Sequence, residues 1–130
     1  MIDQRYAASY AVEPIVNRAS LSYYARSGHA FIAEKGGIAC AFVLGHAIWN
    51  GSRATVWVDR LAARENEDGI VLEVLLEAVT KSAYDAGVYR LRVDIPESDG
   101  GVLGALQAKE FGQISVVAFE RRLGSGRLSE

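Results

Sequence analysis

The sequence predicts an α/β fold: a mixed sheet with antiparallel N-terminal strands and one central parallel pair, flanked by helices. Three observations predict it. Residues 29–61 hold three strand-like runs joined by the turn signals Gly36-Gly37 and Asn50-Gly51. Residues 70–86 place apolar side chains at helical spacing. A further strand, 89–95, follows that helix, and a strand–helix–strand crossover is right-handed with its two strands parallel.

The elements follow in order. Residues 1–28 read as helical: Pro14 needs no donor in a first turn, Ser20 reads as a cap for 21–26, and Gly28 as the stop. Leu21, Tyr23 and Tyr24 give this segment an apolar side to pack on the sheet. The strand 29–35 is short. The run 38–49 is continuously apolar, as a central strand buried on both faces would be. Gly45 inside it marks a bulge or a close approach of another group. Asn50-Gly51 turns a hairpin into the strand 54–61.

The charged turn 64–69 leads into the crossover helix. Val71, Val74, Leu75, Ala78 and Ala86 form one side, and Leu72, Leu76, Val79 and Ala83 widen that stripe. Glu73, Glu77, Lys81 and Asp85 lie opposite, and Glu77 to Lys81 is the favourable order for a pair. Asn66 or Asp68 caps the start, and Gly87 suits the left-handed position after the end. Pro96 ends the strand 89–95. A second helix spans 102–110, and a final strand 115–123 closes the fold. No repeat or linker divides the chain, so residues 1–123 read as a single domain and 124–130 as a mobile tail.

Composition narrows the function classes. The chain has 130 residues, half of them apolar, and a net charge of −2. With a pI near 5.7 it lacks the basic field of a nucleic-acid binder, and no nucleic acid is expected as partner. Cys40 is the single cysteine and lies in an apolar run, which suits a buried, inert thiol. The N-terminus shows no signal-peptide core, and the run 38–49 is too short to span a bilayer. A cytoplasmic protein without a membrane partner is expected, with no metal site. A homodimer is the expected assembly.

The order of elements resembles the GNAT superfamily of acyl-CoA-dependent N-acyltransferases, over residues 20–123. The piece Ala105-Leu106-Gln107-Ala108-Lys109-Glu110-Phe111 is similar to the last helix of those enzymes. The phrases Tyr24-Ala25-Arg26-Ser27-Gly28-His29 and Lys81-Ser82-Ala83-Tyr84-Asp85-Ala86-Gly87-Val88-Tyr89 resemble a small bacterial GNAT-like family of unassigned function. The resemblance implies a GNAT-like fold and acetyl-CoA as cofactor, lying between the strands 54–61 and 89–95. Backbone groups at Val58, Arg60 and Leu61 would then hold its pantetheine arm and the developing oxyanion. Arg64, Asp68, Gly69 and Ile70 would surround its pyrophosphate at the helix start. Asp99 matches a position often held by asparagine. The partner would be a small-molecule amine or ligand.

The match departs from the family in two places. Glu67-Asp68-Gly69-Ile70-Val71-Leu72 falls on the pyrophosphate phrase Gln/Arg-x-x-Gly-x-Gly/Ala, so Glu67 replaces the leading residue and Ile70 and Leu72 replace the glycines. Glu65, Glu67 and Asp68 crowd the same turn, with Arg64 to offset one of them. On the last helix, the position of the family's proton-donating tyrosine is Leu106. Asp59 and His46 are the candidate bases, and Tyr84 a candidate proton donor. Each has a plainer reading: Asp59 pairing with an arginine, His46 as a satisfied core histidine, Tyr84 on the polar side of its helix. Two functions follow. One is acyl-CoA-dependent N-acetyltransfer to an amine. The other is a non-catalytic ligand-binding or dimeric regulatory protein with a degenerate CoA site.

Overall fold

The computed structural model describes residues 2–124. Among these residues, helices and strands follow as α1 (Ile2–Tyr10), α2 (Arg18–Ser27), β1 (His29–Lys35), β2 (Ile38–Trp49), β3 (Ala54–Ala63), α3 (Gly69–Asp85), β4 (Leu91–Val93) and α4 (Gly100–Ala108). The sheet order is β1-β2-β3-β4. The first three strands pair antiparallel and β3–β4 pairs parallel. That is the mixed sheet the sequence predicts.

The N-terminal region is helical but broken. Pro14 lies in the connection between α1 and α2 rather than in a helix's first turn. Asn17, not Ser20, caps α2: its side chain accepts from Ser20 N–H at 2.9 Å, and the Ser20 hydroxyl accepts from Asn17 N–H at 2.9 Å. This reciprocal pair satisfies two N–H groups that a helix start leaves without partners. Gly28 ends α2 in the left-handed conformation, φ 79°.

One core fills the space between the sheet and α3 and α4. Val43, Val56, Val58, Leu76 and Val79 are wholly buried in it, with Cys40 beside them. Each valine or leucine there contributes roughly 1.5–3 kcal/mol. The apolar stripe of α3 therefore docks as expected, except that Val74 and Ala86, the latter just past the helix end, stay exposed. Gly45 is where chains crowd: a Cβ there would lie 3.0 Å from His29 O and 3.3 Å from Trp57 O.

The pairing shifts at the same place. Gly45 pairs with Val58 but Leu44 pairs with Arg60, so Asp59 is an extra residue in β3. This is a β-bulge, which bends the strand and re-aims its side chains. The ladder to β4 ends one residue earlier, at Val58↔Val93. Beyond it β3 continues to Ala63 on β2 alone, and the two central strands part.

Two expectations about strands are also corrected. β4 covers Leu91–Val93, shorter than 89–95. Residues 115–123 form no strand; among the described residues no strand pairs with them, and Val117 and Phe119 are 77% and 92% exposed. The alternating pattern there signals strand propensity, but propensity makes a strand only where a neighbouring edge accepts its backbone groups. The tail expected from residue 124 falls, beyond Gly124, outside the described residues.

Candidate functional site

The parting of β3 and β4 opens a cleft of about 300 Å³ lined by Tyr6, Val12, Asp59, Arg60, Leu61, Asp94, Ile95 and Pro96. Its chemistry comes from side chains at the bulge. Asp59 Oδ2 accepts a hydrogen bond from the Tyr24 hydroxyl of α2 at 2.5 Å. The same oxygen lies 2.8 Å from His46 Nδ1 on β2. That approach is out of line with the ring N–H, and Nδ1 makes no hydrogen bond in its buried setting. The two groups stand in close contact without a directed hydrogen bond between them. Tyr23 and Tyr24 set their rings edge-on to His46, at 5.6 and 6.0 Å between centroids. Burial, then the hydrogen bond to Asp59, hold the Tyr24 phenol well above its usual pKa, so it stays protonated and keeps donating.

Arg60, next in β3, turns to α1. Its guanidinium meets Asp3 Oδ1 at 2.6 Å and donates to Glu13 O at 2.9 Å, with the Tyr6 ring 5.2 Å away. Asp3 Oδ2 also accepts from Ile15 and Val16 N–H at 2.7 and 2.9 Å. Both charges are buried, so this network ties α1 and the loop after it to the sheet. The Tyr6 hydroxyl donates to Asp99 Oδ2, and Asp99 Oδ1 caps α4 by accepting from Val102 N–H at 3.1 Å. Burial foremost, then Asp99, raises the Tyr6 pKa.

The start of α3 is already furnished. Asp68 accepts from Ile70 N–H at 3.1 Å. Glu67 is gripped by Lys35 at 2.7 Å and Arg64 at 2.5 Å. These two cations, Lys35 first, hold the Glu67 carboxyl below its usual range. The acidic crowding read from the turn is thus offset: Glu67 has two cations, and Arg5 lies 3.8 Å from Glu65. Gly69 meets nothing within 4 Å of where a Cβ would stand.

Asp59, His46 and the β3 positions Val58, Arg60 and Leu61 are brought together at the parting of the strands. Arg64, Asp68, Gly69 and Ile70 gather at the α3 start. Tyr84 stands apart, exposed near the end of α3 and edge-on to Tyr89 at 5.4 Å. Asp99 faces α1 through Tyr6 rather than β3. Leu106 is buried in the core. Sequence reasoning passed over Tyr6 and Asp3, whose three-residue spacing on one helix face was the available signal. It read Tyr24 as a packing residue only. Among the described residues no group of three or more His, Cys, Asp or Glu side chains could hold a metal ion, and no helix is long and apolar enough to cross a membrane.

No curated protein matches the chain. Solved structures do. Wild-type TTHA1254 from Thermus thermophilus is 35% identical, with a TM-score of 0.77 over 96% of this chain and 95% of that one. The aminoglycoside N-acetyltransferase AAC(6')-Iy, in complex with a bisubstrate CoA analogue, is 19% identical over 81% of this chain and 77% of that one, with a TM-score of 0.67. A ribosomal-protein-alanine N-acetyltransferase from Brucella melitensis biovar Abortus 2308 is 14% identical over 92% of this chain and 89% of that one, with a TM-score of 0.69. The architecture is therefore that of the GNAT acetyltransferases. The family model described as protein of unknown function (DUF1999) matches residues 15–128. With that match spanning most of its length, the chain belongs to the DUF1999 family and carries the GNAT fold.

Proposed function

We propose that the protein is a cytoplasmic acyl-CoA-dependent N-acetyltransferase that acts on a small amine at the β3–β4 cleft. The observation that carries this reading is the bulge at Asp59, which sets a carboxylate, backed by His46 and Tyr24, at the point where the central strands separate. The β3 edge beyond Val58, free of β4, fits an extended pantetheine-like arm, which would bond to backbone groups of a strand as another strand does. The α3 start fits a pyrophosphate less well, because Asp68 occupies the Ile70 N–H. Arg64 and Lys35 are both engaged by Glu67, and with Asp68 beside them the carboxylates there match the cations in number, so a pyrophosphate would have to compete with Glu67 for them.

The chain's own groups would divide the work as follows. Tyr24 and His46 both engage Asp59 Oδ2, which leaves Oδ1 to take the proton of the attacking amine. Backbone N–H groups between Val58 and Leu61 would stabilise the oxyanion as the thioester carbonyl is attacked. Acetyl-CoA would supply the acyl group. The test is calorimetric titration with acetyl-CoA followed by an amine panel. Binding tighter than about 100 μM, roughly −5.5 kcal/mol, is expected. Asp59→Asn should keep that binding and lose about 10²-fold or more in turnover. Absence of binding at millimolar acetyl-CoA would sink the proposal.

A second reading has its own support in the Asp68 cap and in Leu106, which has no proton to give. On it, the protein keeps the fold as a non-catalytic ligand-binding or regulatory module with a degenerate CoA site. Turnover of any amine by the purified protein would end that reading.

A further inference from the structure

One guanidinium beside the cleft is fixed in place while its terminal edge stays open. His46, Trp57 and Arg92 lie side by side across β2, β3 and β4, because His46 pairs with Trp57 and Trp57 with Arg92. The Arg92 guanidinium lies over the Trp57 ring, 4.1 Å from its centroid. Its Nε donates to Asp94 Oδ1 at 2.8 Å. The stack sets the plane of the group, and the hydrogen bond sets its rotation within that plane. Among the described residues, neither Nη1 nor Nη2 of Arg92 makes a hydrogen bond to protein. Arg60, which lines the cleft itself, is the opposite case: Asp3 takes its Nη1 and Glu13 O its Nη2. The Arg92 side chain is 28% exposed, so a small solute can reach it while its neighbours shelter it from bulk water.

This fork and the Asp59 carboxylate share one face of the sheet. Asp59 touches His46, the neighbour of Trp57 in the row. Asp94, two residues on from Arg92, lines the cleft together with Asp59, and alternate residues of a strand lie on one face. Strand geometry puts Asp59 about 7 Å along β3 from Trp57, and Arg92 about 5 Å across from Trp57. The Asp59 and Arg92 side chains therefore start roughly 8–9 Å apart. The bond to Asp94 draws the guanidinium toward the cleft and shortens that span. Asp94 engages only the Nε side, which leaves the terminal edge for another anion.

We propose that the cleft takes an ω-amino acid, with its carboxylate on the Arg92 fork and its amine at Asp59. This rests on the acetyltransferase reading of the site and narrows its acceptor. A planar carboxylate matches the two terminal nitrogens of a guanidinium bidentately. An α-amino acid is too short, since a single carbon separates its two groups. δ-Aminovalerate reaches about 6 Å from nitrogen to carboxylate carbon, as an extended backbone of equal atom count does. Transfer would join the amine nitrogen to the acetyl carbonyl carbon, break the thioester C–S bond, and pass the amine proton through Asp59 to the leaving thiolate.

The test uses the full chain and measures kcat/KM with acetyl-CoA for δ-aminovalerate, butylamine and glycine. Butylamine is the same amine without the carboxylate. δ-Aminovalerate should be preferred over it by about tenfold to a hundredfold, and glycine should fall well behind δ-aminovalerate. Arg92→Met should bring the ratio of δ-aminovalerate to butylamine close to one. Arg92→Lys keeps a cation beside Asp94 but not the fork, and should also lose most of the preference; circular dichroism checks that both variants are folded. Equal or better turnover of butylamine by the wild type would overturn the inference and leave the acetyltransferase reading standing. So would a preference that both Arg92 variants retain. If neither amine is acetylated, calorimetric titration with δ-aminovalerate decides the inference apart from the reaction, while titration with acetyl-CoA decides the reading. Binding of δ-aminovalerate that the Arg92 variants lose would uphold the site. Binding that they keep, or none at millimolar concentration, would overturn it.

Discussion

Adding one methyl group at Gly45 should cost more than its size suggests. The residue sits where β1, β2 and β3 come together beside the bulge. Its backbone is not left-handed, so alanine brings no torsional strain. The added Cβ would instead lie 3.0 Å from His29 O and 3.3 Å from Trp57 O, with Val56 Cγ1 at 3.4 Å. The two oxygens are backbone atoms of the strands on either side, and they cannot swing away as a side chain could. Forcing a methyl into such a site costs about 1–3 kcal/mol. Lowered entropy of the unfolded chain returns about 0.4–1 kcal/mol. The net expectation for Gly45→Ala is a loss of about 1–2 kcal/mol, or a fall of about 0.5–1 M in the urea midpoint. Gly69→Ala is the control, since a Cβ there meets nothing within 4 Å and α3 begins at that residue. It should be neutral or slightly stabilising. If Gly45→Ala unfolds at the wild-type midpoint, the close approach does not limit the packing of these strands, and the reasoning fails.

Three further outcomes are expected. Asp3→Asn and Arg60→Met each break a buried ion pair, in which the partners are 4% and 8% exposed, and should cost about 3–5 kcal/mol by denaturant unfolding; the double variant should recover part of it. Leu76→Ala empties a wholly buried position among the β-strand valines and should cost about 2–5 kcal/mol with the fold retained by circular dichroism. Burial lowers the His29 pKa, while its Nδ1 lies 2.9 Å from Ser82 Oγ. The unfolded chain takes up that proton more readily, so stability should fall as pH drops through about 6.5. Urea midpoints from pH 8 to 5 check this, and His29→Gln should flatten the part of the slope that His29 causes.

The likeness to acetyltransferases is firmest in the backbone and weakest in the side chains that those enzymes use. The strands separate, and the bulge sets Asp59 beside the cleft. Leu106 and the Asp68 cap remain where a proton donor and a bare phosphate cradle would help. A fold accommodates many chemistries, and side chains at its site decide among them. Titration with acetyl-CoA therefore tells more than any further comparison of shape.

By itself, the sequence determined the order of elements from α2 to α4 and much of their ends. Local signals suffice for these: the helical stripe of 70–86, the Gly36-Gly37 and Asn50-Gly51 turns, and Gly28 and Gly87 with positive φ. It also marked Gly45 as a place of bulge or close approach, and both occur there. The tertiary structure alone decided which of the paired residues bulges, because two strands must be aligned before an extra residue exists. It alone joined Tyr24 to Asp59 and Asp3 to Arg60, contacts between side chains far apart in the chain. The segment 115–123 shows the same division. Its strand propensity is local and legible, but whether it forms a strand depends on an edge to accept it, and no short stretch of sequence holds that information.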